Sequence, residues 1–151
     1  ALNRHGLVDA VMTADTDVLP CLAPTVINKL VFDKNGVFFQ VVDLKKLLHH
    51  LKLDEHQFID LCIMCGTDFN SNIPRVGPIT SYDLILRHRS IDNITNHDVS
   101  TLNHTRVRQL FAYTEKEPTI HVPPCKPIDF VKLSLYANVD YIKLRLRKAE
   151  T

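Results

Sequence analysis

The segment Cys65-Gly66-Thr67-Asp68-Phe69-Asn70-Ser71-Asn72-Ile73-Pro74-Arg75-Val76-Gly77-Pro78 separates two amphipathic runs and decides how this chain folds. The run before it, residues 53–64, has apolar side chains at helical spacing and starts with a capping box of Asp54 and Gln57. The run after it extends to His88, and Pro78 suits its first turn, where a backbone N–H needs no partner. The pattern predicts a helix, a tight polar hairpin and a second helix.

Aspartates lie at two of the predicted element ends. Residues 7–14 (LVDAVMTA) are predicted to form a buried strand of a parallel sheet, and Asp15-Thr16-Asp17 follows at once. Carboxylates at such a strand end lie at the usual ligand-binding edge of an α/β sheet, and a turn after Asp15 would bring both towards one metal ion. Asp68 ends the first helix, where its carboxylate can point into a cleft. These three residues are candidate metal ligands; the alternative is that they are solvated loop acids.

The remaining segments predict a small mixed α/β fold. Strands are expected at 26–32 and 37–42, joined by an Asn35-Gly36 turn at the edge of the sheet, and Asp43 should cap a helix that extends to His50. Further along, the patterns predict a short segment capped by Ser90 and extending to Asn96, a helix over 103–114 with Val107, Leu110 and Phe111 inward, an irregular stretch over 118–127, and a helix from Phe130 to Tyr136. Residues 1–6 are expected to form a helical turn ending at Gly6.

Composition excludes several classes of protein. The chain has 151 residues, a formal net charge of +1 and 45% hydrophobic residues, which is typical of one globular domain. No apolar run approaches the roughly 18 residues of a membrane span, so we expect no membrane partner. The lone Cys62 and Cys65 pair is interpreted as core thiols, and His49 and His50 as packing or solvated side chains. The balanced charge means that any nucleic-acid surface must be local; the basic residues 143–148 are one candidate.

Three motifs in order carry a family resemblance: the strand end at Asp15-Thr16-Asp17, the segment Leu61-Cys62-Ile63-Met64-Cys65-Gly66-Thr67-Asp68-Phe69, and Ile73-Pro74-Arg75-Val76-Gly77-Pro78. Together they resemble the flap endonuclease (XPG-like) family of structure-specific 5′ nucleases, over about residues 1–94. The resemblance implies an α/β fold, in which the C-terminal part of a PIN-like parallel-sheet nuclease core is followed by a helix-two-turn-helix region. The implied domains are 1–52, the end of the nuclease core, 53–97, the helix-two-turn-helix, and 98–151, a C-terminal helical extension.

The resemblance also implies roles for individual residues. Asp15, Asp17 and Asp68 match catalytic metal ligands of the family, which would hold two Mg²⁺ ions, with Mn²⁺ as a substitute, for hydrolysis of DNA phosphodiester bonds. The hairpin would hold K⁺ or another monovalent ion against DNA, with the carbonyls of Ile73 and Val76 as donors. The implied DNA-binding residues are Asn72, Ile73, Arg75, Val76, Gly77, Thr80 and Ser81.

Departures from the family pattern refine these expectations. The usual Gly-Ile-Gly-Pro has Arg75 at its first position here, and Ile79-Thr80 replace a basic pair. We expect Arg75 to supply phosphate charge, Thr80 or Ser81 to donate hydrogen bonds, and duplex affinity to fall below the family norm. The sequence has no PCNA-binding box near its end. Two family glutamates and a helical arch would precede Ala1.

The expected parent is therefore a metal-dependent nuclease acting on DNA with a 5′ flap or junction in replication, repair or recombination. The expected localisation is the nucleus or another intracellular compartment of DNA replication. This chain would be its C-terminal half, with little or no cleavage activity alone and with apolar surface exposed on its sheet. Two alternatives stay open: a catalytically inactive DNA-binding or scaffolding relative, and an RNA-directed nuclease of the same fold.

Overall fold

A small mixed sheet and four helices form the first of two compact units, residues 1–120 and 121–151, in the computed structural model of the protein. The structure describes residues 1–34, 36–112, 121–124, 127 and 129–133. In chain order the elements are β1 (Val11–Met12), β2 (Thr25–Asp33), β3 (Gly36–Asp43), α1 (Leu44–Leu51), α2 (Glu55–Cys65), α3 (Pro78–His88), α4 (His104–Phe111) and, in the second unit, α5 (Phe130–Leu133). The predicted boundaries at 52 and 97 both fall inside the first unit.

The sheet has the order β1-β2-β3. β1 pairs parallel with β2, and β2 pairs antiparallel with β3, with Asp33 opposite Gly36. The predicted β-hairpin of β2 and β3 is confirmed by this pairing. β3 is the edge strand of the sheet, and β2 lies between β1 and β3. The mixed α/β fold class is confirmed as well.

The first strand is much shorter than predicted, because only Val11 and Met12 pair with β2. The prediction that it is buried is wrong as well, since Met12 is 63% exposed. Upstream, Leu7 N donates to the Leu2 carbonyl at 3.0 Å and Gly6, at φ 68°, closes the expected turn. The Asn3 side chain then donates to the Val8 carbonyl at 2.9 Å. These bonds hold residues 7–9 in a bend, which an apolar run by itself does not reveal.

The helix starts follow the predicted caps. The Asp43 carboxylate accepts from Lys46 N at 2.9 Å to begin α1. Asp54 and Gln57 form the reciprocal capping box of α2, with bonds of 2.8 and 3.1 Å. Pro78 is the first residue of α3. The Ser90 hydroxyl accepts from Asp92 N at the start of a short 3₁₀ turn, Ile91–Asn93. Local sequence therefore specified these boundaries.

Two apolar clusters lie on opposite sides of α2. Phe58 of α2 packs with Leu22 and Leu44 in a cluster near the sheet. A larger cluster joins α2 to α3, the hairpin and α4; its buried members include Ile63, Met64, Ile73, Val76, Leu84, Ile85, Ile91, Leu102, Val107 and Phe111. Because both faces of α2 are covered, this helix connects the strand end to the hairpin as one rigid element.

The C-terminal predictions are only partly covered by the described residues. Val107 and Phe111 of α4 are buried as predicted, but the prediction for Leu110 is wrong, since its side chain is 40% exposed. α4 also ends at Phe111, three residues before the predicted end. The helix predicted to Tyr136 is described only as Phe130–Leu133, and the basic residues 143–148 lie outside the described residues.

The expected exposed apolar surface is present on the hairpin of β2 and β3. Phe38, Phe39 and Val41 are each about half exposed, at 48%, 56% and 54%. Phe38 and Phe39 are consecutive strand residues and point to opposite faces, so apolar side chains are exposed on both faces of the sheet.

Among the described residues, none of the helices has the length and hydropathy that a bilayer crossing requires.

A buried ion pair that sequence analysis did not identify joins α2 to α4. Asp60, only 2% exposed, accepts two bonds from Arg108, at 2.6 and 2.7 Å. Its carboxylate also accepts from Ile91 N at 2.9 Å and from the Ser90 hydroxyl at 3.2 Å. The paired geometry satisfies the oxygens of a carboxylate that would be costly to bury without hydrogen-bond partners.

Asp92 extends this network at its exposed side. Its carboxylate accepts from Arg108 at 2.7 Å and bonds to the His104 ring at 2.8 Å. Burial acts to raise the pKa of Asp92, but hydrogen bonds from Ser90, Arg108 and His104 outweigh it and hold that pKa well below its ordinary value. Asp92 therefore stays ionised and adds a second carboxylate to Arg108.

Replacing Arg108 with leucine should lower the free energy of unfolding by about 3 kcal/mol, because it leaves the Asp60 carboxylate buried without its cation. The measurement is a urea unfolding curve followed by circular dichroism.

Arg106→Leu is the matched control, an exposed arginine of the same helix, and should change stability by no more than about 0.5 kcal/mol. Replacing both Asp60 and Arg108 with leucine should recover much of the loss. Equal urea midpoints for Arg108→Leu and the unaltered chain would contradict the structural role of the pair.

Candidate metal and nucleic-acid site

One open cleft, of about 680 Å³, brings the predicted acidic residues together. One wall is the strand end with Asp15, Thr16 and Asp17, and the other is the loop that follows α2, from Cys65 to Asn72. Asp68 lies in this second wall. Asp68 thus lines the same cleft as Asp15 and Asp17, although it is more than fifty residues away from them in sequence.

The turn expected after Asp15 is present as a 3₁₀ helix, Thr16–Val18. The Asp15 carboxylate caps it by accepting from Asp17 N at 3.0 Å, while Asp15 N donates to the Thr13 hydroxyl at 3.0 Å. Asp15 is exposed and Asp17 is half-buried. The backbone direction at the strand end is therefore fixed by local hydrogen bonds.

The pKa of Asp17 is raised above its ordinary value. Partial burial is the largest cause, and the negative charges of Asp15 and Asp68 add to it. Because Asp68 lines the same cleft as Asp15 and Asp17, the three groups form one region of negative potential. Such a region attracts a cation.

A glycine at the end of α2 lets the loop fold back towards the strand end. Gly66 adopts φ 105°, where other residues are strained, and the Asn72 amide lies against it. A Cβ atom on Gly66 would come within 2.6 Å of the Asn72 side-chain oxygen. The Asn72 amide nitrogen donates to the Cys65 carbonyl at 3.3 Å, which closes the fold-back.

Two more side chains fix the loop that carries Asp68. Asn70 donates to the Ile63 carbonyl at 3.0 Å, near the end of α2. The Thr67 hydroxyl donates to the Asn70 side-chain oxygen at 2.6 Å and accepts from Phe69 N at 3.2 Å. Sequence analysis did not identify Thr67 and Asn70; a Thr-Asp-x-Asn turn pattern after a helix was the available signal.

The acidic residues fit a hard divalent cation by chemistry, because carboxylate oxygens are the donors that Mg²⁺ and Mn²⁺ prefer. Across the residues that the structure describes, no three His, Cys, Asp or Glu side chains already converge at ligand distance. The raised pKa of Asp17 is the electrostatic feature that a bound cation would reverse.

The hairpin after this loop is a tight turn. Val76 N donates to the Ile73 carbonyl at 3.1 Å, and both side chains are buried in the larger apolar cluster. Arg75 is exposed and has φ 63°, in the left-handed region that favours glycine. The backbone itself thus explains why a glycine would suit this position.

The other predicted DNA-binding residues are divided between surface and interior. Gly77 and Thr80 are exposed at the start of α3. Ser81, in contrast, is fully buried, and its hydroxyl donates to the Gly77 carbonyl at 3.0 Å and the Met64 carbonyl at 3.4 Å. This placement contradicts the expectation that Ser81 donates to phosphate, because Ser81 lies on the buried face of α3. Asn72 is exposed as a residue, but its amide binds the loop instead.

Cys62 and Cys65 pack against apolar side chains, which agrees with their interpretation as core thiols. Cys62 and Cys65 lie against the two apolar clusters. Burial, with smaller contributions from Cys65 and Asp17, raises the pKa of Cys62 to about 12, and burial also raises the pKa of Cys65. Burial and then Asp17 raise the pKa of Cys21. Thiols protonated at neutral pH are poor metal ligands and poor nucleophiles.

Comparison with known proteins gives a family match over the same region. The family model described as the XPG I-region matches residues 1–68. The flap endonuclease 1 of Tetrahymena thermophila is 34% identical over 97 residues, which cover 64% of this chain and 25% of that protein.

Solved structures share the fold. The flap endonuclease-1 of Methanococcus jannaschii aligns with a TM-score of 0.58 at 23% identity, covering 73% of this chain and 34% of that one. The catalytic core of Rad2, solved in complex with a DNA substrate, aligns with a TM-score of 0.53 at 28% identity, covering 61% of this chain and 29% of that one.

The chain spans about a quarter to a third of the length of the curated relatives it matches. The matched region contains the strand end with Asp15 and Asp17, α2 and the loop with Asp68. With the matching sequence model, relatives and fold, the chain belongs to the flap endonuclease/XPG-like family.

Proposed function

We propose that this chain is part of a structure-specific 5′ nuclease that hydrolyses DNA phosphodiester bonds with divalent metal ions. The observation that carries the proposal is that Asp15, Asp17 and Asp68 line one cleft, where partial burial and then the charges of the other two raise the pKa of Asp17. Keeping like charges together costs stability, and a bound cation is the ordinary compensation.

In this proposal the three aspartates are the metal ligands contributed by this chain. Two Mg²⁺ ions bound there would activate a water and stabilise the leaving oxygen of a phosphodiester. The chain's own residues orient the site: the Asp15 cap fixes the strand end, and Thr67, Asn70 and Asn72 fix the loop. Because two of the three ligands stand on one short turn and the third on a loop anchored to α2, the spacing depends on the packing of α2.

The hairpin is proposed to bind the backbone of duplex DNA. Arg75, Gly77 and Thr80 are exposed along one tight turn and the start of α3. A charged side chain and backbone groups recognise phosphates and fix the position of a duplex without reading its sequence. The proposed substrate is DNA with a 5′ flap or junction, since Rad2, a relative by fold, was solved with a DNA substrate. Carbonyls of Ile73 and Val76 are the proposed donors to K⁺, and the proposed location is the nucleus or another site of DNA replication.

The direct test is cleavage of end-labelled 5′-flap DNA in Mg²⁺ by the parent protein, meaning this chain with the region that precedes it in the parent. We expect cleavage at the junction, and its loss when Asp15 and Asp17 are both replaced with alanine. This chain alone should cut little or nothing. A parent protein that binds the flap without cutting it would indicate a DNA-binding relative, and preference for an RNA flap would indicate an RNA-directed enzyme.

Asp17→Asn should stabilise the metal-free chain at neutral pH. The folded state disfavours the ionised carboxylate, so the contribution of Asp17 to stability is present at low pH and is lost as pH rises through its raised pKa. The melting temperature of Asp17→Asn should exceed that of the unaltered chain near pH 7, and the difference should close towards about pH 4.

Mg²⁺ should favour the unaltered chain over the variant. Its addition should raise the melting temperature of the unaltered chain more than that of Asp17→Asn. Asp83→Asn, which changes an exposed aspartate of α3 outside the cleft, is the control. Identical melting temperatures for Asp17→Asn and the unaltered chain at every pH, with and without Mg²⁺, would remove the electrostatic basis of the site.

Arg75→Gly should separate the charge of the hairpin from its backbone geometry. Glycine adopts φ 63° without strain, so the variant should be as stable as the unaltered chain or more stable by up to about 1 kcal/mol. Loss of one phosphate contact should reduce the slope of log affinity against log salt by about 1.

The readouts are urea unfolding and fluorescence anisotropy of labelled duplex DNA over a KCl series. Arg106→Gln, in α4, removes the same charge outside the hairpin and should leave the slope unchanged. An unaltered affinity and slope for Arg75→Gly would show that Arg75 does not contact phosphate.

A further inference from the structure

We propose that the ring contact between Phe69 and Phe111 positions Asp68 for metal binding, which makes α4 a support of the metal site. The inference rests on the proposed function, because it assigns a purpose to the position of a proposed ligand. It concerns a helix beyond the motifs that carry the family resemblance, which end near residue 94.

Asp68 depends on its backbone for its position. It is an exposed residue on the loop after α2, and within the described part of the chain no hydrogen bond or ion pair holds its carboxylate. The rotamers of such a side chain start from its Cα, so the backbone sets the range of positions that the carboxylate can reach. The anchoring of the two neighbours of Asp68 therefore limits where its carboxylate can lie.

The neighbours of Asp68 are anchored in different ways. Thr67, before it, is fixed by the 2.6 Å bond of its hydroxyl to Asn70. Phe69, after it, meets Phe111 edge to face, with ring centroids 5.9 Å apart and ring planes at 72°. This is a favourable geometry for an aromatic pair. Polar bonds thus hold one side of Asp68 and a ring contact holds the other.

Phe111 is suited to act as a fixed support. It is the last residue of α4 and only 4% exposed. Three residues earlier, Arg108 holds α4 to Asp60 of α2 through two bonds of 2.6 and 2.7 Å. α2 in turn leads into the loop that carries Asp68. The loop that carries Asp68 is therefore connected to α2 twice, directly along the chain and through its contact with α4.

The half-exposed ring of Phe69 suggests a position outside the core. Its side chain is 50% exposed, whereas Phe111, which it contacts, is 4% exposed and belongs to the larger cluster. The Phe69 ring therefore buries less apolar area than a core phenylalanine does, and its contact with Phe111 holds the loop next to Asp68. Substitution of Phe69 should also leave the fold intact, which makes the proposal testable.

The test is Mn²⁺ binding by the 151-residue chain, followed as the loss of the free-ion signal in electron paramagnetic resonance. Phe69→Leu keeps an apolar side chain and removes the ring, and should raise the Kd for Mn²⁺ about 3- to 10-fold. Phe69→Tyr keeps the ring and should restore the Kd. Urea unfolding of Phe69→Leu should stay a single cooperative transition, which shows that the fold is intact when the Kd is measured.

A double-mutant cycle tests whether Phe69 acts through Asp68. Asp68→Asn alone should weaken Mn²⁺ binding, and Phe69→Leu added to it should have no further effect. Leu110→Ala, an exposed apolar residue of α4, is the matched control and should leave the Kd unchanged.

Other outcomes of these Mn²⁺ measurements would contradict either the positioning role of Phe69 or the metal role of Asp68. If Phe69→Leu has no effect, or the same effect with and without Asp68, the positioning role is wrong while the metal site stands. If Asp68→Asn binds Mn²⁺ like the unaltered chain, the proposed metal role of Asp68 is wrong and the positioning role falls with it.

Discussion

A single buried carboxylate constrains the helical part of this protein. Asp60 lies in the middle of α2, a helix covered on both sides by apolar clusters, and is only 2% exposed. Burying a carboxylate is costly unless its oxygens are satisfied, and Arg108 of α4 with Ile91 N of the 3₁₀ turn satisfies them. Because the partners come from separate elements, one charge fixes α4 and the 3₁₀ turn against α2.

The acidic cleft depends on the same helix. The cluster around Phe58 holds α2 near the strand end, and the loop after Cys65 folds back over Gly66 to bring Asp68 to Asp17. The packing thereby holds three like charges in one cleft, and partial burial together with the charges of Asp15 and Asp68 raises the pKa of Asp17. Proteins keep such unfavourable arrangements where function uses them, and cation binding is the use that fits carboxylate oxygens.

In the hairpin that precedes α3, Arg75 combines an unusual backbone conformation with a charged side chain. Arg75 occupies a left-handed backbone conformation that glycine would adopt without strain, so its side chain is retained against a local cost. Ser81, which follows in α3, serves the interior by bonding to carbonyls of Gly77 and Met64. The outward groups that we propose to contact phosphates are therefore few: Arg75, Gly77 and Thr80.

The sequence by itself determined the features that depend on neighbouring residues: the caps at Asp43, Asp54 and Ser90, the proline start of α3, the hairpin turn and the three aspartates as candidates. Tertiary structure decided what depends on distant partners. The Asp60–Arg108 pair, the Phe69–Phe111 contact and the inward turn of Ser81 each require groups far apart along the chain to meet. Short-range patterns specify hydrogen bonds within a few residues, whereas the direction in which a side chain is buried is set only when the elements pack.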